Sequence, residues 1–102
     1  EGLPQSQVIG LFQDHTRIIW CATNGGGVSR FDGVKFHNLN TKDGLNSNRV
    51  NAVFEDRNHT VWIASAKVLN KYLQGKLLKV DEEIIKQKAV YKIYKNILIL
   101  YL

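Results

Sequence analysis

Short apolar runs alternate with polar breaks along the first 80 residues, and the runs have the length of β-strands. In the first half of that stretch the runs are Val8–Phe12, Ile18–Ala22, Val28–Phe31 and Val34–Leu39. Polar breaks separate them at Asp14–Arg17 and Asn24–Gly27, and the Asp32-Gly33 dipeptide favours a hairpin between the last two runs. Runs of four to six residues joined by short turns predict antiparallel strands.

The same pattern then recurs. Asp14 and Asp56 stand 42 residues apart, and so do Trp20 and Trp62. The second set of runs is Val50–Phe54, Val61–Ala64, Val68–Tyr72 and Lys76–Val80. A period between 20 and 50 residues is typical of repeat architectures, and four short strands per period match one blade of a propeller.

The chain is therefore predicted to be all-β, a fragment of a β-propeller with about two four-stranded antiparallel blades plus a partial third. Blade 1 covers residues 2–43, blade 2 covers 44–83, and 84–102 form a degenerate or truncated third repeat. A short amphipathic helix over 81–95 is the alternative for the tail. Because a few repeats leave apolar faces uncovered, we expect self-association or packing against neighbouring blades of a longer protein.

The net charge of +5 is confined to the C-terminal third. Basic and acidic side chains cancel over residues 1–66, whereas 67–102 carry eight lysines, no arginine and three acidic residues. A nucleic-acid surface would be expected to combine arginine with stacking aromatics. Scattered lysines instead indicate a solvated face, so no nucleic-acid partner is predicted.

The sequence predicts no cofactor, metal or catalytic centre. The single cysteine, Cys21, excludes an internal disulfide, and the glycine-rich break Asn24–Gly27 lacks the Lys-Ser/Thr and helix of a phosphate loop. His15 and His59 fall in turns of different blades and His37 on an outer strand, so no close ligand pair is expected. A lyase or hydrolase would need acids and histidines clustered on one loop face, and no such cluster is predicted.

Six repeat-related residues are assigned to architecture: Trp20, Trp62, Asp14, Asp56, Gly2 and Gly44. A strand-centred tryptophan in every repeat indicates inter-blade core. An aspartate directly after a strand is expected to cap the following turn through its backbone N–H groups. A glycine at each blade-to-blade crossing suits a positive φ.

The joint motif resembles the two-component regulator propeller repeat. That repeat reads approximately Gly-Leu-Pro, a spacer, Val-x-x-Ile-x-Glu-Asp, a glycine turn, Leu-Trp-Ile-Gly-Thr and Gly-Leu-x-Arg-Tyr-Asp-Gly. The matching segments are Gly2 to Pro4, Val8 to Asp14, Ile19 to Thr23, Gly27 to Gly33, Asp43 to Leu45, Val50 to Asp56 and Val61 to Ser65. The resemblance spans about residues 2–80, and Arg17 and His59 stand where the repeat has its turn glycine.

This resemblance implies an extracytoplasmic, periplasmic sensor region of the kind found in hybrid histidine kinases and some diguanylate cyclases. Such sensors are usually dimers and typically recognise oligosaccharides. They signal through a membrane helix to a separate enzyme domain. The implied function of this chain is ligand sensing without catalysis. A protein-interaction or scaffolding propeller with no small ligand is the alternative.

Loops at one end of a propeller converge on its axis, and polar loop residues there are the candidates for ligand binding. They are Asn24, Arg30, Asn46, Asn48 and Arg49. Asparagine and arginine suit sugar hydroxyls because each offers several hydrogen bonds in a fixed plane. Arg30 also matches the recurrent arginine of the repeat, which favours a structural role for that residue.

Overall fold

The computed structural model describes residues 7–65 and 68–80, which form two antiparallel sheets of four strands each. The strands of the first sheet are β1 (Gln7–Gln13), β2 (Ile19–Asn24), β3 (Val28–Phe31) and β4 (Phe36–Leu39). Those of the second are β5 (Val50–Glu55), β6 (Val61–Ser65), β7 (Val68–Leu73) and β8 (Lys76–Val80). Each sheet is a meander in sequence order, so the predicted all-β fold of propeller blades is confirmed.

Several sequence-based predictions fall outside the described residues. These are the role of Gly2, the third repeat over 84–102 and the alternative helix over 81–95. Residues 66 and 67, between the second and third apolar runs of the second repeat, also lie outside them. Among the residues that are described, no helix has the length and hydropathy needed to cross a membrane.

The two sheets share a β-bulge at the same place in the repeat. The register of β1 against β2 shifts between Val8 and Gly10, and that of β5 against β6 shifts between Val50 and Ala52. A bulge adds one residue to a strand and increases its local twist. The two shifts lie 42 residues apart, so the bulge recurs with the repeat.

The fourth strand of blade 1 begins two residues later than the alternating pattern predicted. The Asp32 carboxylate accepts hydrogen bonds from the backbone N–H groups of Val34 (2.9 Å) and Lys35 (2.8 Å). These bonds hold the two residues in the turn, so that β4 starts at Phe36. The side chain of the turn residue thus competes with strand pairing.

The main core lies between the blades. Trp20 and Ala22 of β2 pack against a cluster that includes Val61 and Ile63 of β6. All five residues of β6 are buried. Blade 1 covers one face of this strand, and on the opposite face Trp62 and Ala64 belong to a second buried cluster. A strand that is buried on both faces reads as a continuous apolar run, as Val61–Ala64 does.

A short crossing joins the blades and was not predicted to contain an element. It holds a single 3₁₀ turn, η1 (Thr41–Asp43), whose capping box is formed by Asn40 and Asp43. Gly44 ends the turn with φ of 107°, in the left-handed region that favours glycine. Leu45 then enters the inter-blade core.

Candidate functional site

Each blade has two ends, and the polar residues of interest divide between them. The crossing end holds the turn at 25–27 and the crossing at 40–49, while the hairpin end holds the turns at 14–18, 32–35, 56–60 and 74–75. Strands run between these ends, so residues at opposite ends cannot share one small ligand.

Three of the five predicted ligand-binding residues meet at the crossing end. Asn24 forms an isolated β-bridge with Arg49, and the Asn48 carbonyl accepts hydrogen bonds from the N–H groups of Gly25 (3.0 Å) and Gly27 (2.8 Å). Asn24 and Arg49 are exposed. The Asn48 side chain is used within the crossing, where its Oδ1 accepts the Thr41 N–H at 2.9 Å.

Asn46 is at the same end but belongs to a separate hydrogen-bond network. Its N–H donates to Oδ1 of Asn70 (2.8 Å), and its side-chain amide donates to the Leu69 carbonyl (3.2 Å). Asn70 is fully buried and donates in turn to the carbonyls of Gly44 and Leu78, both at 3.1 Å. Sequence reasoning missed Asn70, although a polar residue inside the apolar run Val68–Tyr72 was a signal for such a role.

Arg30 lies apart from the asparagines, between the two blades. Its guanidinium carbon is 5.1 Å from the ring centroid of Trp20 and 4.6 Å from that of Tyr72. Two aromatic faces attract a cation through their quadrupoles. The Nε of Arg30 is buried and makes no hydrogen bond among the described residues. This arginine therefore contributes to the interface between blades.

At the hairpin end each repeat builds the same aspartate-centred turn. Oδ1 of Asp14 accepts the Thr16 N–H (2.8 Å), the Thr16 hydroxyl (2.5 Å) and the Ile18 N–H (3.1 Å), and Oδ2 accepts the Trp20 indole N–H (2.9 Å). Burial alone would raise the pKa of Asp14, but these bonds to the charged form together lower it.

Asp56 repeats the arrangement in blade 2. Oδ1 accepts the N–H groups of Asn58 (2.8 Å) and Thr60 (3.0 Å), and Oδ2 accepts the Trp62 indole N–H (2.8 Å). Desolvation again opposes ionisation, and the hydrogen bonds, aided by the nearby His59, lower the pKa of Asp56. Both carboxylates accept hydrogen bonds on both oxygens within their own turns, which gives each a structural role there.

The two turns also bring together three side chains that the sequence did not group. The rings of His15 and His59 stack with centroids 3.9 Å apart, and Nδ1 of His15 lies 2.5 Å from Oε2 of Glu55. Nδ1 of His59 lies 3.6 Å from the same oxygen. Two predictions are therefore wrong here. Histidines of different blades do lie close together, and histidines and an acid do form a cluster on one loop face.

The reason for the error is the stacking of blades. Equivalent turns of adjacent blades lie side by side, so residues close to one period apart become neighbours. His15 and His59 are 44 residues apart, and Glu55 is at the end of β5 beside both. The usable signal was the position of both histidines in the same turn of successive repeats. His37, in contrast, pairs with Asp32 at 3.1 Å on the outer hairpin.

Comparison with known proteins agrees with the architecture. No curated protein sequence matches the chain. Residues 44–67, which run from the crossing through β6, match the family model described as two component regulator propeller. Domains made of such repeats are typically non-catalytic. The chain thus contains a two component regulator propeller repeat at these residues, within a fold of propeller blades.

Proposed function

We propose that this chain is the ligand-sensing part of an extracytoplasmic two-component receptor, that it binds an oligosaccharide at the crossing end, and that it is non-catalytic in itself. The observation that carries the proposal is the exposed pair Asn24 and Arg49, which the bridge between β2 and the crossing holds together beside a glycine turn.

The chemistry of this pair suits a sugar. A hydroxyl group both donates and accepts hydrogen bonds, an asparagine amide does the same, and an arginine provides five donors in a plane. The Asn48 carbonyl accepts hydrogen bonds from Gly25 and Gly27, and these bonds hold the turn that follows Asn24 against the segment that precedes Arg49. Because the side chains start from a rigid backbone, less conformational freedom is lost when a ligand binds.

The position of the pair also suits signalling. Asn24 belongs to blade 1, whereas Arg49 immediately precedes the first strand of blade 2. A ligand that contacts both favours the arrangement of blades in which the two side chains have the correct separation. Binding energy that differs between two arrangements shifts their populations, and a distant output domain can respond to that shift.

The test is calorimetric titration of the full chain with xylohexaose, cellohexaose and mannohexaose. We expect one of these or a related hexasaccharide to bind, and Asn24→Ala or Arg49→Ala to weaken the affinity about tenfold, which is roughly the loss of one good hydrogen bond. Asn58→Ala and Arg57→Ala are matched controls, because these residues are exposed at the opposite end.

Binding that is lost equally in the control variants would contradict the crossing end as the site. A chain that is folded and binds none of the probes across a broader oligosaccharide panel would contradict the ligand class.

Protein interaction is the second candidate, and it is favoured by one observation. Leu11 is 70% exposed and Val8 is 40% exposed on β1, the edge strand of the first sheet. Exposed apolar side chains on an edge strand provide a surface for another β-strand. A Leu11→Lys variant that abolishes association while leaving sugar binding intact would separate this activity from the first.

A further inference from the structure

The cluster at the hairpin end has no part in the proposed sugar site, and its composition is that of a metal centre. We propose that His15, Glu55 and His59 form a binding site for a divalent transition-metal ion of the Zn²⁺ type, which links the turns of the two blades. This site stands independently of the ligand-sensing proposal, because it lies at the other end of the strands.

The ligand atoms are already close. One nitrogen from each histidine and one carboxylate oxygen lie within 4.8 Å of one another. Two ligands bound at about 2.0 Å to a tetrahedral ion are separated by about 3.3 Å. The observed distances from Oε2 of Glu55 to the two Nδ1 atoms, 2.5 Å and 3.6 Å, lie on either side of that value.

The histidines have the freedom to complete the geometry. Their side chains are 46% and 59% exposed, so rotation of each ring is unobstructed on the solvent side. The rings are stacked, and their planes are inclined by 26°. Binding of one ion by both histidines requires each ring to rotate about its side-chain bonds until one nitrogen of each ring faces the same point beside Oε2 of Glu55.

Glu55 is held in place by the backbone of the other blade. Its side chain is only 11% exposed, and Oε1 accepts the His15 N–H at 3.0 Å. That bond orients the carboxylate and leaves Oε2 directed at the two imidazoles. Supporting hydrogen bonds of this kind orient the ligands of protein metal sites.

The donor set selects the class of ion. Two imidazole nitrogens and one carboxylate suit Zn²⁺, Ni²⁺ or Cu²⁺, whereas Mg²⁺ prefers oxygen ligands and keeps its waters. Three protein ligands leave one position of a tetrahedral ion for water. Since His15 belongs to blade 1 and the other two ligands to blade 2, a bound ion connects the blades through coordination bonds.

The experiment is a calorimetric titration of the full chain, carrying no affinity tag, with ZnCl₂ alone and in parallel with MgCl₂. We expect one Zn²⁺ per chain with micromolar affinity and no displacement by Mg²⁺. His15→Gln and His59→Gln should each weaken Zn²⁺ binding at least tenfold. The matched control is His37→Gln, which removes an exposed histidine that pairs with a carboxylate outside the cluster.

Glu55→Gln is a second variant that keeps an oxygen for the His15 N–H while removing the negative charge, and we expect it to weaken binding about tenfold. Far-UV circular dichroism verifies that each variant keeps the fold. Folded wild-type chain that does not bind Zn²⁺, or binding that His37→Gln weakens as much as His15→Gln and His59→Gln do, would overturn the proposal. None of these outcomes bears on oligosaccharide binding.

Discussion

The two blades are copies of one motif, yet they differ in the burial and the contacts of the repeated tryptophan. In blade 1, Trp20 is 1% exposed and contacts both Arg30 and Tyr72. In blade 2, Trp62 is 8% exposed and its described ring contact is Phe54 at 6.5 Å. Lys71 stands opposite Trp62 where Arg30 stands opposite Trp20. The aspartate-tryptophan bond is common to both blades, whereas the inter-blade contacts depend on which neighbour each blade meets.

The largest expected effect separates the two tryptophans. Trp20→Ala should lower the free energy of unfolding by about 3–5 kcal/mol, because it leaves a cavity in the core between the blades. Trp62→Ala should cost less, about 2–3 kcal/mol, since Trp62 belongs to the smaller of the two buried clusters formed by the described residues. Urea denaturation at one fixed protein concentration, followed through the fluorescence of the remaining tryptophan, gives both values. Equal losses would show that the blades use their tryptophans alike.

The next effect concerns the glycine turn of blade 1, at a place where the sequence of the second repeat has no glycine. Gly27 has φ of 83°, and a Cβ at this position would collide with the Leu39 carbonyl oxygen. Gly27→Ala should therefore cost about 2–4 kcal/mol from backbone strain and overlap together. Gly33→Ala is the matched control, because Gly33 also has positive φ but no neighbour within 4 Å. That variant should lose only about 1–2 kcal/mol in the same denaturation measurement.

The cation between the blades gives a smaller difference. Arg30→Lys should cost about 1 kcal/mol, because lysine does not reproduce the planar contact with two aromatic rings. Lys71→Arg in blade 2 should change stability by less than about 0.5 kcal/mol, because Lys71 is half-buried and, among the described residues, the cation–π contacts belong to Arg30. Thermal melts of the two variants provide the comparison. A larger effect at Lys71 would contradict the special role of Arg30.

Restoring the turn glycine of the repeat should stabilise blade 1. Arg17 has φ of 73°, a left-handed conformation that is costly for a residue with a Cβ. Arg17→Gly should therefore raise the stability by about 1 kcal/mol. Arg17→Ala removes the same side chain but keeps the strain, so it should not stabilise. A gain in the alanine variant would assign the effect to charge instead of backbone conformation.

The smallest effect is a pH dependence at the outer hairpin. Hydrogen bonds from the N–H of Lys35 and of Val34, and from His37, lower the pKa of Asp32 from 3.8 to about 2. Because the folded pKa is depressed, the carboxylate contributes stability above pH 4 that is lost as the pH falls toward 2. Asp32→Asn should remove this contribution. The stability gap between wild type and variant, measured in melts from pH 5 to 2, should close at the acidic end.

Much of the fold was predictable from the sequence. The period located Asp14 and Asp56 at the ends of first strands, and turn dipeptides separated the apolar runs well enough to place every described strand within about two residues. The start of β4 was wrong, because the Asp32 side chain binds the backbone of Val34 and Lys35 in the turn. Side-chain capping is a local effect, but its competition with strand pairing is not visible in an alternating pattern.

The sites were less predictable. Polar loop residues could be named, yet their partners could not. Asn46 is tied to the buried Asn70, and Arg30 is enclosed by rings from both blades. His15 and His59 were judged separately because a repeat pattern describes each blade alone. All of these contacts join residues that are far apart in the chain.

The sequence by itself determined the strands, the aspartate-tryptophan frame of each blade and the family of the repeat, because these depend on local spacing of apolar, polar and turn residues. Only the tertiary structure decided which side chains meet between blades. Stacking one blade on the next places equivalent turns side by side. His15 of blade 1 therefore lies beside Glu55 and His59 of blade 2, although about one repeat separates them in the sequence.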